Sequence, residues 1–207
     1  MANLACDLPT VEFIGKAMDP CKEDFAGIGY IIYAVNPADL IKKPEYANEV
    51  GEMRFTAESF DKSNFKAGKY AYKIICKKNN AQNQGTGNEG AGKGAAQSLT
   101  FTVENDIENA AYALRLMKNI GDFYFLCTKG ENVFQVVGDP TWGSNLNFNY
   151  DSGQEATSDS GLMATVSCPT APSPVVFWYP EGYGTEGGVT GSLATFDNVG
   201  TGVNPGA

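Results

Sequence analysis

Apolar and polar residues change period along this chain, and the changes mark its elements. Leu99, Phe101 and Val103 alternate with Thr100, Thr102 and Glu104, the two-residue period of a half-buried strand. From Ile107 the apolar side chains fall at Ala110, Ala111, Leu114, Met117 and Ile120, one face of a helix over about 106–120. Asn105 or Asp106 is placed to cap its start, Glu108 and Lys118 suit the two ends of the helix dipole, and Gly121 suits a left-handed stop. Phe123 to Thr128 then predicts an aromatic-rich strand, Lys129-Gly-Glu-Asn132 a tight turn, and Val133 to Val137 a further strand.

The remaining pattern is strand and turn. Thr10 to Ile14 is a short strand within an N-terminal arm over 1–20, and Gly27 to Val35 is a buried strand ended by Asn36 and Pro37. Ala38 to Tyr46 reads as loop with at most one helical turn, and Glu52 to Ala57 as an alternating strand. Lys69 to Lys78 and Ser98 to Glu104 predict two strands separated by residues 79–97. That separator holds five glycines, no aromatic and no β-branched residue except Thr86, so it predicts a long flexible hairpin tip. Gly138 to Gly143 has turn chemistry, and Leu146, Phe148 and Tyr150 alternate with Asn145, Asn147 and Asn149. Asp151 to Gly161 is a polar tip, Leu162 to Cys168 a returning strand, Pro169 to Pro174 a stiff connector, and Val175 to Tyr179 the last apolar strand. Residues 181–207 form a Gly-rich extension with isolated anchors at Val189, Leu193, Phe196, Val199 and Val203. The sum is an α+β, mainly β chain: an antiparallel β-sandwich or barrel over 21–180 with one flanking helix, a long hairpin loop and extended termini.

Composition narrows the chemistry. The 207 residues carry 24 acidic against 15 basic side chains, a net charge of −9, which sets a repulsive mean field against nucleic-acid binding. No apolar run approaches the roughly 20 residues that span a bilayer. Asn3-Leu-Ala-Cys6 superficially matches a lipoprotein cleavage box, but no basic and apolar run precedes it. Histidine is absent, which removes Ser-His and Cys-His pairs. The five cysteines, at 6, 21, 76, 127 and 168, form no CxxC pair and read as reduced, structural thiols; Cys6 and Cys21 flank one short segment and are able to pair under oxidation. Gly90-Ala-Gly-Lys-Gly94 lacks the order of a phosphate-cradling loop, and Asp151 to Gly161 lacks calcium-loop spacing. Carboxylate pairs such as Glu23/Asp24 and Glu104/Asp106 read as surface acid. The expectation is a non-enzyme with no catalytic residue, cofactor or metal. Its long tip and extended termini suit a subunit that exchanges arms with its neighbours.

The order of G-I-G-Y-I-I-Y (27–33), G-K-Y-A-Y-K-I-I-C (68–76), a long loop, S-L-T-F-T-V-E-N-D-I-E-N-A-A-Y-A-L (98–114), F-Y-F-L-C-T-K-G-E-N-V-F-Q-V-V-G (123–138) and G-L-M-A-T-V-S-C (161–168) resembles the major tail (tail tube) proteins of tailed bacteriophages, especially those infecting Bacteroidetes. The resemblance covers about residues 20–168. It implies a virion protein, assembled in the host bacterial cytoplasm, whose copies form hexameric rings stacked into a tube with an acidic lumen for DNA ejection. Its partners would be other copies, other tail proteins and transiently passing DNA, with no membrane insertion. On that footing Tyr70, Tyr72, Ile74, Leu99, Phe101 and Val103 lie on strands that form the lumen. Asn79, Gln84, Gly87, Gly92, Lys93 and Gln97 lie on an inter-subunit loop, and Lys42-Lys43 and Lys77-Lys78 meet acidic neighbours. The alternatives are another virion component, such as a head decoration, connector or minor tail protein, and a carbohydrate-binding β module using Trp142, Trp178, Tyr179 and Tyr183.

Overall fold

The computed structural model describes residues 28–49, 52–55, 60–61, 64–69, 71–77, 80–89, 94–103, 107–128, 134–152 and 161–178. The expectations for the 1–20 arm, the 181–207 extension, Cys6, Cys21, the helix cap at Asn105 or Asp106, the Lys129–Asn132 turn and most of the Asp151–Gly161 tip lie outside them.

Two sheets pack face to face. The larger contains β1 (Ile31–Val35), β2 (Tyr46–Glu49), β3 (Glu52–Phe55), β4 (Tyr72–Ile75), β7 (Tyr124–Thr128), β8 (Phe134–Val137) and β11 (Val176–Trp178), in the order β2-β3-β11-β8-β7-β1-β4. The smaller contains β5 (Gln82–Gly87), β6 (Ala95–Val103), β9 (Asn145–Asp151) and β10 (Gly161–Ala171), in the order β5-β6-β10-β9. Helix α1 (Ile107–Ile120) packs against β9 and β10. Every pairing is antiparallel except β11 with β3. Among the described residues neither sheet closes on itself, so the architecture is a mainly β sandwich with one helix and not a barrel.

The sequence pattern explains which sheet is buried twice. β1 and β7 are continuous apolar runs because both of their faces are covered. Ile32, Ala34, Phe125 and Cys127 point into the space between the sheets, with Leu99, Phe101, Leu162, Ala164 and Val166 opposite. Tyr33, Val35, Tyr124 and Leu126 point the other way, into a second core with Leu40, Phe60, Phe134, Val136 and Trp178. Trp178 centres that second core, with the rings of Phe134 and Phe60 at 5.2 and 5.5 Å. Each such side chain contributes about 1.5–3 kcal/mol by leaving water. β9 and β10, by contrast, alternate, because only their inner face is covered.

Several expectations change. The 79–97 segment is not an unpaired tip: Gln82–Gly87 is a strand, paired with β6 from Gln82 opposite Thr100 to Gly87 opposite Ala95. Backbone hydrogen bonds and not side chains define it, so it carries no apolar period. The strands flanking that segment are not partners either, since β4 joins the larger sheet and β6 the smaller. Residues 28–30 precede β1, although the Gly29 amide donates to the Thr128 carbonyl at 2.6 Å. The loop after β1 holds one 3-10 turn, Pro37–Asp39, and Tyr46 already begins β2. β10 runs through Pro169 to Ala171; a register irregularity between Cys168 and Ala171 accommodates the proline's missing donor.

The helix follows its period, with Leu114 and Met117 buried and Ile107, Ala110 and Ala111 packed beside them. Ile120 departs from it and is exposed, because at 3.6 residues per turn it lies about 120° around the helix from Leu114. Gly121 ends the helix with φ +72° and donates to the Met117 carbonyl at 2.9 Å.

Candidate assembly surface

The solvent-facing side of the smaller sheet is built from the polar half of each alternating strand. Register places Asn147, Thr165, Thr100 and Gln82 in one row across the four strands, and Asn145, Ser167, Ser98 and Gln84 in the next. A third row runs from Asn149 through Met163 to Thr102, where the face is covered and Thr102 is only 3% exposed. These rows hold amides, hydroxyls and one thioether, and the four described strands themselves place no charged residue on this face before Asp151 at the end of β9. In a chain of net charge −9 this is a segregated surface.

The two edges of this sheet differ. Beside β9, the Lys118 Nζ of α1 donates to Asn147 Oδ1 at 2.8 Å and stands 6.0 Å from the centre of the Phe148 ring. Asn147 faces outward and Phe148 inward, so the cation lies across the strand edge. β5 has no such neighbour among the described residues and is the last strand in the order. Ladder parity fixes which of its backbone groups are free of β6. The Asn88 amide donates to the Gly94 carbonyl at 3.0 Å, and Lys77 takes up the Thr102 carbonyl at 2.7 Å where β5 has ended. Both place the even-numbered residues in the hydrogen-bonded pairs. Asn83, Gly85 and Gly87 therefore turn their N–H and C=O groups away from β6, to the open edge.

The inner side of β5 is fastened to the rest of the molecule. Asn83 Nδ2 donates to Gln135 Oε1 at 3.2 Å. Gly85 lies under the chain that links β10 to β11: a Cβ there would stand 1.9 Å from the Pro174 carbonyl oxygen, so only glycine fits. Gln97, 2% exposed, accepts from the Gly138 amide at 3.1 Å and donates to the Ser173 carbonyl at 2.9 Å. That one side chain ties both sheets and the connector together.

Of the expected inter-subunit loop residues, Gln84 and Gly87 are exposed on β5, whereas Gln97 is inside the fold and unavailable to a neighbour. Asn79, Gly92 and Lys93 lie outside the described residues. Of the expected lumen strands, Leu99, Phe101 and Val103 turn their side chains into the core, so only the Ser98 and Thr100 side of β6 is open to a channel. Tyr72 is exposed on the edge strand β4 with its ring 6.2 Å from Phe123, Ile74 is partly buried, and Tyr70 lies outside the described residues. Lys43 donates to the Thr141 carbonyl at 3.2 Å, Lys42 is exposed, and Lys77 is half-buried. Sequence reasoning missed the β5 edge and the Lys118 position, neither of which leaves an apolar period to read.

Among the described residues no thiol is primed for chemistry. Burial pushes Cys76 up to about 12 from the usual 9.0, and burial followed by the neighbouring Cys76 raises Cys127 further. Burial also raises Cys168. All three are free and buried, and therefore protonated at neutral pH. Tyr46 and Tyr124 are raised too, by burial first and nearby charge second; they donate to the Gly138 and Pro140 carbonyls respectively. Among the described residues no group of three or more His, Cys, Asp or Glu is placed to hold a metal, and no helix is long and apolar enough to cross a membrane. Of the aromatics considered for sugar stacking, Trp178 is core; Trp142 is 68% exposed at the tip of the Asp139–Gly143 turn. Tyr179 and Tyr183 lie outside the described residues. The chain matches no family model, no curated protein and no solved structure.

Proposed function

We propose that this chain is a structural subunit that assembles with copies of itself, as the tube protein of a phage tail whose hexameric rings stack around a channel for DNA. The observation that carries the reading is the smaller sheet, which joins a broad uncharged polar face to an edge that nothing covers among the described residues. Amides and hydroxyls hold no phosphate electrostatically, so a wall of this composition lets a polyanion slide. The side of β6 available to a channel is uncharged, so the acid of an acidic lumen would come from other segments of this net-negative chain. Rings that join such sheets side by side would remove their edges, as closure does in other β assemblies.

Negative-stain electron microscopy of the purified, untagged protein across a concentration series tests the proposal. Rings or stacked tubes with a central channel are expected; single particles at every concentration, with or without tail initiator proteins, would overturn it. Trp142 favours a second reading, a carbohydrate-binding module, because an exposed indole on a rigid turn can stack on a sugar ring. Retention on a glycan array that is lost in Trp142→Ala would select it.

A further inference from the structure

We infer that Trp142, Asp122 and Lys43 together form a binding site for an uncharged saccharide, a hexose or N-acetylhexosamine ring presented on a glycan. The inference rests on the sugar-stacking reading of Trp142, not on the tube, and adds to it the polar groups of the site and the class of sugar it takes. The turn that carries Trp142 is held at each carbonyl from Gly138 to Thr141. Gly138 accepts from the Tyr46 hydroxyl, Asp139 from the Gly143 amide at 2.8 Å, Pro140 from the Tyr124 hydroxyl at 2.8 Å, and Thr141 from Lys43 Nζ at 3.2 Å. Asp139 Oδ1 accepts from the Thr141 and Trp142 amides at 2.7 and 3.0 Å, which fixes the backbone from which the indole projects. The turn has therefore already lost the ordering entropy that binding would otherwise cost, while its indole stays 68% exposed.

Two polar residues reach the same turn. Lys43 is bonded to Thr141, immediately before Trp142. Asp122 lies against Gly143, immediately after it: a Cβ on Gly143 would stand 2.2 Å from the Asp122 carbonyl oxygen. Asp122 is exposed and has φ +59°, the one positive value at a non-glycine residue among the described residues. A sugar ring complements this set. Its C–H face suits the indole, and its rim of hydroxyls suits a carboxylate that accepts hydrogen bonds and an ammonium that donates them. Charge selects the class. Asp122 and Asp139 stand at this turn against Lys43 in a chain of net charge −9, so a uronate or sulfated sugar would enter a repulsive field that an uncharged ring does not feel.

A glycan array carrying neutral, N-acetylated, uronate and sulfated glycans, probed with the full chain, tests the site, and saturation-transfer NMR then measures the affinity of the best-retained glycan. Retention of neutral or N-acetylated glycans is expected. Trp142→Ala should weaken binding at least about tenfold, and Asp122→Asn and Lys43→Gln about threefold each, with unchanged circular dichroism spectra. Asparagine tolerates left-handed backbone as aspartate does, so Asp122→Asn removes the charge and keeps the turn. Retention confined to uronate or sulfated glycans would overturn the assigned class. Binding lost in Trp142→Ala but unchanged in both Asp122→Asn and Lys43→Gln would overturn the three-residue site and leave the single-indole reading standing. No retention at all, or retention that survives Trp142→Ala, would overturn both.

Discussion

β5 and β9 bound the same sheet, yet among the described residues β9 is shielded and β5 is bare. Beside β9, the second half of α1 delivers Lys118 across the strand, where it bonds Asn147 and approaches the Phe148 ring. Beside β5 nothing comparable stands among the described residues, while its inner face is held by Gln135 and by the Pro174 chain over Gly85. Stability and availability are thus separated on one strand: firmly anchored within, open at its rim. An edge that is both rigid and unpaired is a better template for a partner than a frayed one, because the ordering entropy has already been lost in folding.

The comparison breaks entirely if the shared core is hollowed. Phe101, on β6 next to β5, is 1% exposed and lies 6.5 Å from the Phe125 ring. Phe101→Ala should cost about 3–5 kcal/mol and loosen both edges together, seen as a lower urea midpoint. Alkali should act on the larger sheet and leave the edge contrast alone. Below pH 9.0 the Cys76 thiol is protonated in both states; as pH rises towards about 12 the unfolded chain ionises first. Stability should therefore begin to fall near pH 9.0, by an amount on the order of a few kcal/mol from Cys76, and Cys76→Ala should make the fall shallower without abolishing it, since Cys127 and Cys168 are raised by burial as well.

A smaller effect sharpens the contrast on the β5 side. Gln97→Ala leaves the Gly138 amide and the Ser173 carbonyl without their side-chain partner, at a cost of about 1–3 kcal/mol. Amide exchange should then accelerate along β5 and β6 before β9. The smallest effect is on the β9 side: Lys118→Ala should change stability by only about 0.5 kcal/mol, since its contacts are exposed. It should nevertheless raise exchange along β9 and promote association there, making the two edges alike.

Much of the sandwich was legible because apolar side chains define it. The period of two in β9 and β10, the apolar runs of β1 and β7, and the helix from Ile107 to Ile120 ended by Gly121 all follow from residue pattern. The candidate surface was only half legible. Asn145, Asn147 and Asn149 showed an amide face, but the rows that join them to Thr165, Thr100 and Gln82 depend on pairing between strands distant in sequence. Gln97 looked like a loop residue and is a buried tie, because its partners, Gly138 and Ser173, arrive from two other segments.

By itself the sequence determined where the apolar strands and the helix occur and which of their faces are apolar, since side-chain period and turn chemistry are local properties of the chain. Only the tertiary structure decided that β4 and β6 belong to different sheets, that Gln82–Gly87 is a strand, and that Lys118 stands by one edge while the other has no such neighbour among the described residues. The physical reason is that backbone hydrogen bonds carry no side-chain signature. Which strand takes which partner is settled only when the whole core closes around Leu99, Phe101 and Phe125.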